Sequence, residues 1–219
     1  MKKFFLSTLA FLLMLFCCLF PFGCGEQKED YTEHLSELRQ DVFVGTSESF
    51  TLRAHYGFKK TDGNKIYNLT FILKEKASEN VNYSVLLSFN GKDYKTDFKL
   101  NAISGVPTAS IEVNEFNLKE FTVQIVYSST IEEVCLKSAI PNECKDYSVA
   151  LNSLKTSQPE LLNSYVDENG DFTASISMRV LVKDNKPYYY VGFTDKNDNL
   201  KALLLNGTTL EVLAIREIF

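Results

Sequence analysis

The run "SFTLRAHYGFK", residues 49–59, alternates between apolar and polar positions. Phe50, Leu52, Ala54, Tyr56 and Phe58 are apolar, and Thr51, Arg53, His55, Gly57 and Lys59 lie between them. Successive side chains of a strand point to opposite faces, so this pattern describes an antiparallel strand with one dry and one wet face. The same period returns at Tyr67, Leu69, Phe71 and Leu73, and again at Tyr83, Val85, Leu87 and Phe89. Turn residues separate the runs: "TDGNK" at residues 61–65, and Asn90-Gly91, a strong two-residue hairpin signal. Further alternation follows at Ala109, Ile111 and Val113, at Phe121, Val123, Ile125 and Tyr127, and through residues 131–136. About seven short strands at this spacing predict an antiparallel β-sandwich of immunoglobulin-like architecture over residues 48–140. The chain has no Trp, so the buried Trp of true immunoglobulin domains is missing.

Working outward, residues 31–44 read "YTEHLSELRQDVFV". Leu35, Leu38 and Val42 fall at helical spacing and Thr32 is a candidate N-cap, which predicts a short helix within a tether segment, residues 24–47. Beyond Pro141 the period changes again. Val149, Ala150, Leu151, Leu154, Leu161, Leu162 and Tyr165 mark a helix face, with Asp146 as N-cap and Pro159 as a kink or a break. Four strands follow, through Phe172–Val182 positions, "YYYVGFT", "LKALLL" and "LEVLAIREIF". One helix and four strands predict a mixed α+β domain over residues 141–219. The last strand carries Leu213 and Ile215 on one face and Val212 and Ala214 on the other, a pattern expected of a strand covered on both sides.

The first residues decide the compartment. Lys2 and Lys3 precede an apolar run, residues 4–22, which ends at Gly23-Cys24-Gly25 and a polar stretch. A charged start, an apolar middle and a small residue before a polar segment is a secretory signal pattern. The junction Pro21-Phe22-Gly23-Cys24 resembles the lipobox of bacterial lipoproteins. That resemblance implies a signal peptide over residues 1–23, a lipid on Cys24, and a protein held on the outer face of the bacterial cytoplasmic membrane. The alternative is an uncleaved N-terminal anchor, since the run lies near the lower limit of about 20 residues that spans a bilayer. Either reading puts the remainder outside the cytoplasm.

The segment "YYYVGFTDKNDNLKALLLNGTTLEVLAIRE", residues 188–217, resembles the PepSY-like family. An aromatic and apolar strand, a turn, a second strand, the turn Asn206-Gly207-Thr208-Thr209-Leu210-Glu211-Val212 and a last strand carry the likeness. The resemblance implies a small non-catalytic extracytoplasmic module, in some cases a modulator of peptidases.

A formal net charge of −5 argues against a nucleic-acid partner, which would need a basic face. Loss of Lys2 and Lys3 with a leader would make the remainder more acidic still. No Gly-x-Ser-x-Gly, His-Glu-x-x-His, P-loop or dinucleotide-binding string occurs. His34 and His55 are the only histidines, with no metal ligands at a suitable spacing, and no cofactor is expected. "DKNDN" (residues 195–199) reads as a hairpin turn, because a calcium loop would need Gly sixth and Glu twelfth. Cys135 and Cys144, nine apart around Pro141, form either a disulfide or two free thiols. Tyr188, Tyr189 and Tyr190 are the candidate binding surface, for a protein, peptide or glycan, with Tyr189 facing opposite to its neighbours. The sequence therefore points to a lipid-anchored binding protein without catalysis. The alternative is an extracytoplasmic enzyme or peptidase modulator acting on peptide or cell-wall substrates.

Overall fold

A long strand occupies the position expected to be helical. The computed structural model describes residues 30–75, 82–102 and 104–218. In it a single 3-10 turn, Tyr31–His34, leads into strand β1, Leu35–Thr46. The helix expected near residues 31–44 is therefore corrected to a strand, and the cause is visible in its pairing. The register skips between Leu35 and Glu37 against one neighbour and between Arg39 and Asp41 against the other. Each bulge inserts an extra residue, which stretches the spacing of dry-face positions from two to three. Val42 and Phe43 are then both buried, in separate hydrophobic clusters. Bulges and two-sided cover together imitate a helical period.

The remaining strands are β2 (Phe50–Thr61), β3 (Asn64–Glu75), β4 (Tyr83–Phe89), β5 (Lys92–Asp97), β6 (Lys99–Leu100), β7 (Pro107–Glu112), β8 (Glu120–Tyr127) and β9 (Thr130–Ser138). After helices α1 (Tyr147–Ser157) and α2 (Pro159–Asn163) come β10 (Ser175–Lys183), β11 (Lys186–Thr194), β12 (Leu200–Asn206) and β13 (Val212–Ile218). The described chain is thus mainly β, and every strand pair is antiparallel except β1 with β10. The principal path runs β13-β12-β11-β10-β1-β2-β3-β7-β6. A second arm, β5-β4-β8-β9, joins at the far end of β1, where Phe43 and Val44 pair with Ser138 and Lys137.

Local sequence accounts for the corners. Asp62-Gly63, Asn90-Gly91 and Asp184-Asn185 all adopt positive φ, at 50° and 80°, 50° and 71°, and 50° and 61°. Two consecutive left-handed residues are what a tight hairpin turn requires, and Asn, Asp and Gly tolerate them best. Asp146 caps α1 by accepting from the Ser148 backbone N–H at 2.8 Å. Pro159 ends one helix and opens the next as its first residue, where a missing N–H costs nothing.

Two apolar clusters meet at β1. One packs Leu35, Leu38 and Phe58 with Leu151 and Leu154 of α1, Leu162 of α2, and Ile176, Met178, Val191 and Phe193. The other gathers Phe43, Leu52, Ala54, Leu69 and Phe71 against Val85, Val123, Ile125, Val134 and Leu136. The expected boundary at residues 140–141 falls between these clusters, and both belong to the one compact unit Tyr31–Phe219. β1 supplies side chains to both.

The last strand differs from its expected place. Among the described residues β13 pairs only with β12, and Leu213 and Ile215 are 46% and 50% exposed. It is an edge strand. Apolar residues on both faces mark a buried strand only when something covers them, and here the helices pack over α-proximal strands further in. Leu38→Ala should therefore lower unfolding free energy by about 2–5 kcal/mol. Ile215→Ala should change it by no more than about 0.5 kcal/mol. Urea denaturation of the two variants checks the contrast, and equal losses would contradict this placement of β13.

Candidate functional site

On the face of the principal sheet turned away from the helices, strand register builds a polar row. Directly opposed residues share a face. Reading across the strands gives Glu112, Asn68, Gly57, Arg39, Arg179 and Tyr190 in line. The adjacent row on one side holds Ser110, Thr70 and His55, and the row on the other holds Lys59 and Glu37. Between them lies an open cleft of about 390 Å³, lined among others by Glu37, Arg39, His55, Asn68, Thr70 and Ser110.

Gly57 makes the floor. A Cβ at this position would overlap the Leu38 carbonyl, because the bulged β1 backbone presses against β2 here. The side chains around it are held by direct contacts. Arg39 Nε donates to Glu37 Oε1 at 2.8 Å, and Arg179 Nε stands 3.5 Å from the same oxygen without hydrogen-bond geometry. The Arg179 guanidinium lies 5.7 Å from the centre of the Tyr190 ring, a cation–π distance. Thr70 and Ser110 share one hydroxyl hydrogen bond of 2.9 Å.

His55 sits within this charge. Its Nδ1 is buried and has no hydrogen-bond partner among the described residues. Burial, followed by the positive charges of Arg39, Arg53 and Arg179, pushes its pKa down to about 4. A base so weak is neutral at ordinary pH and is a poor general base there. What the arrangement does best is recognise negative charge: guanidiniums gathered beside neutral hydrogen-bonding groups.

The residues singled out in the sequence are distributed otherwise. Cys24 lies outside the described residues. Cys135 and Cys144 are free thiols, the first exposed on β9 and the second half-buried. Cys144 Sγ donates to the Tyr189 hydroxyl at 3.7 Å, and that hydroxyl donates to the Lys145 carbonyl at 2.6 Å. Tyr189 is only 4% exposed, so it leaves the candidate surface. Strand alternation turns it into the helix-side core and leaves Tyr188 and Tyr190 half-buried on the other face. Of the three, Tyr190 alone joins the arginine row. His34 packs edge-on against Phe172, 4.9 Å between ring centres. Asp195 binds its own turn, accepting from the backbone of Asn197 and Asn199 at 2.8 and 3.0 Å. Among the described residues no three His, Cys, Asp or Glu side chains are grouped to hold a metal ion.

The sequence reading placed His55 beside Arg53 on a wet face and missed Glu37, Arg39 and Arg179. Glu37 and Arg39 two apart carried a faint strand signal, hidden under the helical spacing of Leu35, Leu38 and Val42. Nothing in the sequence ties Arg179 to Arg39 across some 140 positions. Compared with known proteins, the chain matches no family model, no curated protein and no solved structure.

The depressed His55 pKa has a consequence for stability. Above about pH 6.5 histidine is neutral in both folded and unfolded chains, and its contribution does not vary. As pH falls from there towards 4, the unfolded chain takes up the proton first and stability drops; below 4 the loss levels off. Asp41 acts with the opposite sign, because burial raises its pKa. Comparison with His55→Asn separates the two. Between pH 7.5 and 4.5 the wild type should lose about 2–3 kcal/mol more than His55→Asn in urea unfolding. Parallel losses would mean that His55 is not buried among the arginines.

Proposed function

We propose that this chain is a lipid-anchored extracytoplasmic binding protein, tethered to the outer face of the bacterial cytoplasmic membrane through Cys24 and without catalysis of its own. The observation that carries the binding part is the open polar cleft on the principal sheet, with Arg39 and His55 around a glycine floor and Arg179 beside Arg39. Exposed guanidiniums held in register on a broad sheet form a docking face, and a histidine with so low a pKa is unsuited to proton transfer near neutrality. The lipobox-like Gly23-Cys24 junction after the apolar run supports the anchor.

In this reading residues 48–140 form a two-layer sandwich of immunoglobulin-like architecture. The apolar cluster drawn from β2 and β3 on one side and β4, β8 and β9 on the other supports it. The helix pair against β10–β12, with β13 at the edge, supports a PepSY-like module in residues 141–219, fused to the sandwich through β1. Metabolic labelling with a fatty-acid analogue tests the anchor. The wild type should be labelled and recovered with membranes, and Cys24→Ser should be neither labelled nor retained by a lipid. Equal labelling of the two would refute it.

A further inference from the structure

Glu37 is asked to balance more charge than it carries. One of its oxygens meets both Arg39 and Arg179, and Lys59 stands opposite it on β2. Arg53 adds a third guanidinium to the surroundings of His55. Glu112 closes the row at β7, beyond Asn68. Arg39, Lys59 and Glu37 line the cleft, and Arg53 and Arg179 add their charge to the surroundings of His55, so four cations stand against Glu37 and the more distant Glu112, in a chain whose net charge is −5. Like charges on neighbouring strands repel, and partial burial strengthens the repulsion. Arg39 and Arg179 keep about two-fifths of their side-chain surface exposed, so their forks remain open to an incoming group.

The neutral groups complete the recognition chemistry. Two hydroxyls each carry one donor hydrogen, and the bond between Thr70 and Ser110 uses only one of the pair. The other hydrogen is left to donate into the cleft. His55 offers a ring nitrogen that finds no hydrogen-bond partner among the described residues. A buried polar atom without a partner is costly, and such atoms recur where a ligand completes the set.

We propose that this cleft binds an oxyanion, the carboxylate or phosphate group of a small polar ligand, between the guanidiniums of Arg39 and Arg179, with His55 and the Thr70–Ser110 pair as neutral hydrogen-bonding partners. Arginine forks suit either anion, because both present paired oxygens. The inference deepens the binding reading and rests on it, but it does not depend on the lipid at Cys24.

The chain contains two histidines, so each has its own readable signal. His55 reports the cleft, and His34, against Phe172, reports the integrity of the fold. The full chain, labelled with 13C-histidine and held in a mild detergent, is titrated by NMR from pH 3.5 to 7. The additions are inorganic phosphate, acetate and glucose, with chloride holding ionic strength constant. A bound anion stabilises protonated His55, so a saturating oxyanion should raise its pKa by about one unit, tenfold in proton affinity. Glucose and chloride should not, and at each pH the His34 signal should be the same with and without the additive. Half-saturation is read from the His55 signal at pH 6, where both acetate and phosphate are anionic, and the oxyanion with the lower value identifies whether carboxylate or phosphate is the natural group. Arg179→Gln should raise the half-saturation concentration about tenfold. Should that variant displace the His34 signal and so prove misfolded, Arg39→Gln takes its place with the same expectation. An unmoved His55 pKa, an equal shift with chloride, or unchanged half-saturation in the folded variant would overturn the proposal. Failure of Cys24 labelling would leave this titration unaffected, so the two ideas fail separately.

Discussion

The parallel ladder between β1 and β10 is the contact on which the molecule depends. Leu35, Glu37, Leu38 and Arg39 pair with Ile176, Ser177, Met178 and Arg179, and the bulged Ser36 donates its hydroxyl to the Ile176 carbonyl at 3.0 Å. Without that ladder the helix-bearing sheet and the remaining strands would each present an unpaired edge beside an open apolar cluster. With it, Leu38 and Met178 join one core on the helix side, and Arg39 and Arg179 come side by side on the other face. The same few backbone hydrogen bonds thus fix the packing and assemble the charge. The cleft opens on the β2 side of β1, and the ladder sets Arg179 on its other side, next to Arg39.

Cost and benefit are visible in the bulges. An extra residue at Ser36 and another at Gln40 spoil the regular pairing of β1. In return the strand can turn from one core to the other within a few residues, burying Leu38 in the first and Phe43 in the second. Gly57 is the counterpart on β2, since no larger residue fits under the displaced Leu38 carbonyl. A bulge that re-aims a strand beside a polar cleft is a recurrent use of this irregularity.

Those irregularities also explain how far the sequence could be read. Wherever pairing is regular, composition reported it: the strands through Phe50, Tyr67, Tyr83 and Phe121 carry plain alternation, and Asn90-Gly91 and Asp62-Gly63 sit where the chain reverses. Pro159 separated two helices and Asp146 capped the first. Reading failed where tertiary structure overrode period. β1 acquired a helical spacing from its bulges and its two-sided cover, and β13 carried the composition of a central strand at an edge. The site was legible only in part. Alternation put His55 and Arg53 on the wet face and turned Tyr189 from Tyr190, but long-range register alone brings Arg39, Arg179 and His55 together, and register is a property of the whole sheet.

The separation of β1 from its parallel partner also sets an order of assembly. Ser36 and Ile176 are 140 residues apart, and everything between them forms pairs that are nearer in sequence. Hairpins such as β2–β3, β4–β5 and β10–β11 close locally and fast, whereas the β1–β10 contact must wait for a loop of that length to close. Until it does, the dry face bearing Leu35 and Leu38 has no helix layer to cover it. The β1–β10 ladder therefore closes the longest loop among these strand pairs, and Arg39 and Arg179 come side by side only in chains that have formed it.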